Sequence, residues 1–445
     1  MKLKSFALTL LTVSVGTVAV NQSAQAASFS IVADGLDNPR NFDWDSQGNI
    51  YLAASGAGGD GNGGVNCIPS PSAGYINLCS GNTGYVVKIA PDGTQTKVLN
   101  NLPSIALSPS GEQAAGPADF KFDSKGNAYV LYGLAGDPNS RDTKLGSPAL
   151  GQLYKVDLNS GSLTSIADFA QYEAAYNPDG SDLINNPYGM TIKGDKAYVV
   201  DGGSNVIYSV GLDGSGIGKV TAIPTNLIDP STLEFPPLPP GVVPEEALQF
   251  EPDAQAVPTG ITVAPDGTLT LSEYTAFPYP EGKARIHSVN PDDLSIQTIY
   301  DGFTQLTGVA YDPEGNLYAL QHINQSEWKA IEQGGNIISD ISGSIVKIAK
   351  DGSRETIWSG NGLEAASGLF YRDGALYTSN RTRLVGGERG GQLVKIDLKA
   401  TKKVPEPGAG AGLFAVATLG ATVAMGKRKR QQKSSEELLA KVEIL

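Results

Sequence analysis

The chain has 445 residues, 54 of them Gly and 27 Pro, and only 18% are charged, a composition that favours many short strands joined by turns over long helices. A formal net charge of -13 argues against a nucleic-acid partner and suits a protein working outside the cytoplasm. Two His and two Cys are too few for a His-rich catalytic metal site, and no metal ligands are assigned.

Met1–Ala26 carries Lys2 and Lys4, then the apolar run Phe6–Val20, then Ala24-Gln25-Ala26. That order predicts a secretory signal peptide over residues 1–26, with an N-terminal membrane anchor as the alternative.

From 27 to 403 a single unit recurs. Its clearest copy is Thr307–Ala319, in which Val309 and Tyr311 share one strand face, Asp312-Pro313-Glu314-Gly315-Asn316 turns, and Leu317-Tyr318-Ala319 returns. Aligned copies pair Asn41 with Tyr51, Asp119 with Tyr129, Gly189 with Tyr198, Gly260 with Thr270, Gly308 with Tyr318 and Gly368 with Tyr377. After a variable gap each copy gains a third strand, such as Gly84–Ile89 or Gly343–Ile348, and then a turn and a fourth, such as Thr96–Leu99 or Glu355–Trp358. Four antiparallel strands repeated in this way predict an all-β fold, a six-bladed β-propeller. The last copy stops at Leu398 without a fourth strand, while Phe29–Leu36 is a spare one ahead of the first copy. Residues 28–33 are therefore expected to complete the last blade and close the ring.

The turn between first and second strands hardly changes length, whereas the gap to the third strand is short from Tyr198 to Ser209 and long from Tyr51 to Lys88. Second-to-third loops and blade-to-blade connections emerge on one face of such a blade. The long insertions, including Pro224 to Pro258, thus mark that face as the expected binding side for a small-molecule or protein ligand. Phe235–Pro240 and Phe277-Pro278-Tyr279-Pro280 add Pro-rich and aromatic surface there, either to dock a ligand or to pack the loops. The blade-one insertion, Gly56–Thr83, opens with a glycine-rich stretch, Gly56–Gly64, that reads as flexible turn chemistry rather than a phosphate loop. In an exported chain its Cys67 and Cys79 are expected to form a disulfide; a redox pair or metal site is the alternative.

Candidate ligand residues fall in two groups. First strands should line the channel, so Arg40, Asn41, Asp119 and Tyr188 stand near its mouth, either binding a cation or polar ligand or forming a rim and an Arg40–Asp119 ion pair. Gly at the aligned position elsewhere should let strands approach closely. Just after second strands come Asp201, Glu273 with Tyr274, His322, and Asn380 with Arg381. Asp201 is equally expected to cap its own loop, and His322 to be structural. No Ser-His-Asp order or nucleophile elbow is present.

At the other end, Val404-Pro405-Glu406-Pro407 precedes the uncharged stretch 408–426 and Lys427-Arg428-Lys429-Arg430. This resembles the PEP-CTERM sorting signal over 404–430, with one membrane span and a short polar tail over 431–445 that is longer than the usual basic stop. The resemblance implies export and processing by an exosortase-type enzyme; a permanent anchor is the alternative. Either way the body lies outside the cytoplasmic membrane, in the periplasm, on the outer surface or in the extracellular matrix.

The repeats also look like NHL-type propeller repeats. More specifically, Leu36-Asp37-Asn38-Pro39-Arg40, Gly116-Pro117-Ala118-Asp119, Asn186-Pro187-Tyr188-Gly189, Val257-Pro258-Thr259-Gly260 and Phe277-Pro278-Tyr279-Pro280 together resemble the cyanobacterial ScyD/ScyE family over nearly all of 28–400. That resemblance implies a role in late, extracytoplasmic steps of scytonemin pigment formation, and it brings no catalytic residues. The leading expectation is a surface-sorted binding module. The alternative is a propeller enzyme, a metal-dependent hydrolase of the lactonase type or an accessory to pigment maturation, using Asp119, Asp201, Glu273 or His322; lactonase propellers assemble a calcium site near such second-strand ends, so calcium is the possible cofactor.

Overall fold

A computed structural model describes residues 27–71, 73–228, 253–277, 279–327, 340–383 and 390–399. The proposed signal peptide, the sorting signal with its span and tail, and Phe235–Pro240 lie outside the described residues. Among the described residues no helix is long and apolar enough to cross a membrane.

The repeated turn forms for a local chemical reason. Asp312 Oδ1 accepts the Asn316 backbone N–H at 2.8 Å, and its Oδ2 accepts Asn316 Nδ2–H at 2.7 Å and Tyr318 O–H at 3.1 Å. Asp45 holds Asn49 in the same way, and Asp123 holds Asn127 and Tyr129. Gly315, at φ 83°, supplies the left-handed step that side chains resist.

The strands these turns join build an all-β propeller arrangement. Sheet one runs Pro39–Trp44, Ile50–Ala54, Ala73–Ile89 and Gln95–Leu107, with Cys67–Ser70 added against the third strand. Sheet two runs Pro117–Phe122, Ala128–Tyr132, Gln152–Val156 and Leu163–Asp168. Sheet three is Pro187–Lys193, Lys196–Asp201, Val206–Gly211 and Gly218–Ala222, and sheet four is Pro258–Val263, Leu269–Glu273, Ala284–Val289 and Ile296–Phe303. Sheet five is Leu306–Tyr311, Leu317–Gln321, Ser342–Ile348 and Arg354–Glu364. Sheet six is Ser367–Arg372, Ala375–Asn380, Gly391–Asp397 and, from the other end of the chain, Ser28–Leu36. That last strand pairs antiparallel with the third, Ser28 opposite Asp397 and Ile31 opposite Val394.

Each first strand neighbours the next, and the first strand of sheet six neighbours that of sheet one. Apolar side chains fill every junction: Tyr51, Phe120 and Val130 between sheets one and two, Ala310, Leu320 and Leu376 between five and six, and Phe42, Leu52 and Leu393 between six and one. Hydrogen bonds cross the junctions near the axis. Ser55 Oγ donates to Pro117 O at 3.0 Å, Met190 N–H to Asp119 Oδ2 at 2.8 Å, Thr259 Oγ1 to Leu306 O at 2.8 Å, and Ser379 Oγ to Arg40 O at 2.5 Å.

The blade-one insertion carries part of its sheet's third strand. That strand starts at Ala73 instead of Gly84, and Cys67 stands directly opposite Cys79, with which it forms a disulfide. Glycine accounts for the difference: a Cβ on Gly81 would overlap the Gly58 carbonyl, so only bare backbone lets these segments lie together. Two short helices, Pro138–Thr143 and Phe169–Tyr176, follow N-caps at Asp137 and Asp168. Arg141 Nη1 joins them through Asp168 at 2.6 Å.

Candidate ligand site

A register shift occurs at the same place in all six first strands, between Pro187 and Gly189 in sheet three and between Leu306 and Gly308 in sheet five, for example. A bulge re-aims the side chain it carries. Here it separates residues facing the axis below from residues gathered above. In five of the six sheets the residue after the second strand also bonds to the residue before the first strand, Tyr274 N–H to Val257 O and His322 N–H to Gln305 O among them, and in sheet six Arg381 N–H reaches Glu364 O just ahead of the first strand. Second-strand ends and blade-to-blade connections therefore share one rim.

Below the bulges lies an axial cavity of about 120 Å³, lined by Asn41, Asp119, Lys121 and the glycines 189, 260, 308 and 368. The glycines are needed for approach: a Cβ on Gly260 would stand 2.8 Å from Gly308 Cα, and one on Gly308 2.8 Å from Leu369 Cβ. Asn41 bridges blades through Nδ2, donating to Tyr188 O at 3.1 Å and Ala118 O at 3.3 Å. Asp119 accepts from Phe120 N–H, Met190 N–H and Lys121 Nζ. Burial pushes its pKa up to about 6 against the opposing pull of Lys121. The ion pair expected as an alternative, Arg40–Asp119, does not form. Lys121 lies two residues along the same strand face and takes Asp119 at 2.6 Å, while Arg40 points above the bulge.

Above the bulges, side chains from five blades converge. Arg40 donates from Nη1 to Tyr188 OH at 3.3 Å, from Nε to Ser55 Oγ at 3.3 Å and from Nη2 to Ala114 O at 2.6 Å. Its guanidinium carbon stands 5.5 Å from the centre of the half-buried Tyr188 ring. Tyr188 OH and Ser367 Oγ share a 2.6 Å hydrogen bond. The neighbouring Ala366 O accepts Thr307 Oγ1–H and His322 Nδ1–H, both at 2.8 Å. A carbonyl only accepts, so Nδ1 carries the His322 proton and Nε2 presents a lone pair. Burial, then Arg383 and more weakly Arg40, bring the His322 pKa down to about 4, which keeps the ring neutral. Tyr274 lies beside this ring at 5.6 Å and donates its hydroxyl to Glu327 Oε2 at 2.5 Å. Gln305 Nε2 reaches the same oxygen at 3.3 Å, and Arg383 Nη1 pairs with Oε1. Burial opposes the Glu327 charge, but Arg383 and Tyr274 outweigh it and hold the carboxyl below its usual range.

Of the residues singled out in the sequence, Arg40, Tyr188 and His322 thus meet at the axial mouth, and Asn41 and Asp119 meet beneath it. Asp201 and Glu273 lie on the rim with their oxygens already engaged. Asp201 accepts from Asn185 Nδ2 and the N–H groups of Asn186, Gly203 and Ser204. Burial pushes its pKa up to about 6 despite these bonds. Glu273 holds Arg285 at 2.6 Å, His287 at 2.7 Å and Asn226 at 3.2 Å. Burial acts against its charge, yet His287 and Arg285 keep the pKa low. A carboxylate whose oxygens are taken by a guanidinium or by several N–H donors does not fit a calcium ion. Among the described residues no three His, Cys, Asp or Glu side chains are grouped to hold a metal. Arg381 pairs with Glu364 at 2.8 Å, away from the mouth.

Sequence reasoning missed Lys121, Glu327 and Arg383. Lys121 was findable, because alternate residues of a strand share a face. Glu327 and Arg383 lie beyond the second-strand ends, in loops whose fold no periodicity reveals.

No family model and no curated protein matches the chain. Similar solved structures include a putative gluconolactonase, 11% identical over 84% of this chain and 94% of that one with a TM-score of 0.45. Virginiamycin B lyase from Staphylococcus aureus is 12% identical over 83% and 99%, with a TM-score of 0.40. PQQ-bound aldose sugar dehydrogenase from Streptomyces coelicolor is 12% identical over 84% and 98%, with a TM-score of 0.46.

Proposed function

We propose that the chain is a closed six-bladed propeller, exported and sorted to the surface, that binds a ligand at the axial mouth of its long-loop face. The observation that carries this is the convergence of Arg40, Tyr188, Tyr274, His322, Ser367 and Arg383, drawn from five blades onto one network. Polar side chains gathered at an axis by a repeated bulge are costly to bury and suit recognition. The resemblance to the ScyD/ScyE family supports a ligand from extracytoplasmic scytonemin-type pigment chemistry, and the PEP-CTERM-like signal at 404–430, with its Pro405-Glu406-Pro407, supports processing by an exosortase-type partner. Ligand-observed NMR of the full chain with small indolic, phenolic and sugar-derived compounds tests the site. Binding is expected to weaken in Tyr188→Phe and His322→Gln variants that melt like the wild type; hits indifferent to both would overturn it.

One observation favours a second reading, a hydrolase. His322 is neutral, oriented through Nδ1, and free at Nε2 to accept a proton from water. Turnover of esters or lactones that disappears in His322→Gln while binding persists would support it, and absence of turnover in the wild type would count against it.

A further inference from the structure

We propose that the axial mouth binds a carboxylate, gripped by the Nε–Nη2 edge of Arg383; this rests on the mouth being the ligand site. Arg383 is 4% exposed, and its Nη1 is taken by Glu327. Its Nε and Nη2 are buried and have no hydrogen-bond partner. Those two nitrogens are not an arbitrary pair. In a guanidinium they form one edge, with two N–H bonds running parallel at the spacing of the two oxygens of a carboxylate. A whole bidentate edge left without an acceptor under the surface is rare, because buried donors are nearly always satisfied.

Charge points the same way. Arg40 hydrogen-bonds only neutral oxygens, those of Ser55, Tyr188 and Ala114. Glu327 is engaged by Arg383, and His322 contributes no charge in its Nδ1–H form. Two guanidinium groups against one carboxylate leave one positive charge among the described residues of the mouth, which a monoanion neutralises and a dianion would exceed. The half-buried rings of Tyr188 and Tyr274 favour a ligand with an apolar body behind its acid group.

The test compares benzoate, benzamide and inorganic phosphate on the full chain, following the melting temperature and the arginine Nε–H signals by nitrogen-15 NMR. Benzoate is expected to shift the one Nε–H signal that vanishes in Arg383→Lys, and to bind roughly ten-fold or more tightly than benzamide, its uncharged shape analogue. Phosphate should bind more weakly than benzoate. Arg383→Lys keeps a charge beside Glu327 but loses the fork, and should weaken benzoate roughly ten- to hundred-fold. If that variant does not fold, the comparison of benzoate with benzamide on the wild type still decides. Equal affinity for the two, tighter phosphate, or benzoate binding untouched by Arg383→Lys would overturn the carboxylate assignment. Neutral compounds that bind and lose affinity in Tyr188→Phe, with no preference for the acid, would do so while leaving the ligand site standing. If no compound of either kind binds at the mouth, both readings fall.

Discussion

Replacing His322 by Gln separates a titrating ring from a polar side chain of similar reach. The folded pKa of about 4 lies below the ordinary value of 6.5, and burial is the chief cause. A group with a depressed folded pKa lends stability that is complete above its unfolded value and is lost as pH falls through its folded value. The window therefore runs from about pH 6.5 down to about 4. At 1.36 kcal/mol per unit the contribution at neutral pH is on the order of 3 kcal/mol. For a folded body of roughly 370 residues, at about 2 cal/mol/K of unfolding entropy each, that corresponds to about 4 °C in melting temperature. Melting followed by circular dichroism for both proteins from pH 7.5 to 4 measures the difference. The wild type should lose about that much relative to His322→Gln as pH falls, because Gln does not titrate. A gap that stays constant within about 1 °C across the range would refute the argument.

Removing residues 28–35 should strip the outer strand from sheet six, with the buried Ala33 and the stacking of Phe29 on Trp358. At about 1 kcal/mol per lost hydrogen bond plus the ring contact, roughly 3–6 kcal/mol and about 4–8 °C should go, measured by calorimetry. A single transition at the original temperature would sink the closing role of that strand. Gly260→Ala places a Cβ 2.8 Å from Gly308 Cα and should destabilise by roughly 1–3 kcal/mol, read from urea unfolding; no loss would mean that the axial strands have slack. Reducing the Cys67–Cys79 bond, which closes a loop with a separation of 12, should cost up to about 3 kcal/mol and speed proteolysis of the blade-one hairpin, and unchanged cleavage rates would contradict this.

How much of this was legible in the sequence varies with the range of the interaction involved. The hairpin turns were readable because Asp312, Asn316 and Tyr318 act within a few residues of one another. The spare strand at 28–36 was readable from repeat counting, which needs no geometry. Gly at the aligned axial position was readable as a demand for space, and the close approaches at Gly260 and Gly308 supply the cause. The extended blade-one insertion was hidden, because its pairing depends on glycine backbone meeting glycine backbone across some two dozen residues. The mouth was half visible. Arg40, Tyr188 and His322 sit at repeat positions and could be aligned, whereas Arg383 and Glu327 find each other across 56 residues by loop conformation alone. Asp201 shows the converse case. Its position left two readings open, a ligand site or a cap on its own loop, and its bonds to the N–H groups of Asn186, Gly203 and Ser204 are those of a cap.

The seam of sheet six also has a mechanical meaning. Ser28 stands opposite Asp397, so the first strand begins and the last strand ends side by side at one end of an antiparallel pair. A pull that separates those ends loads the pair's hydrogen bonds one after another, as in opening a zip, rather than all together in shear. A protein tethered through the segment beyond Asp397 and dragged by the segment before Ser28 would open at this pair first. Held by one end alone, it carries no load across the seam and stays shut.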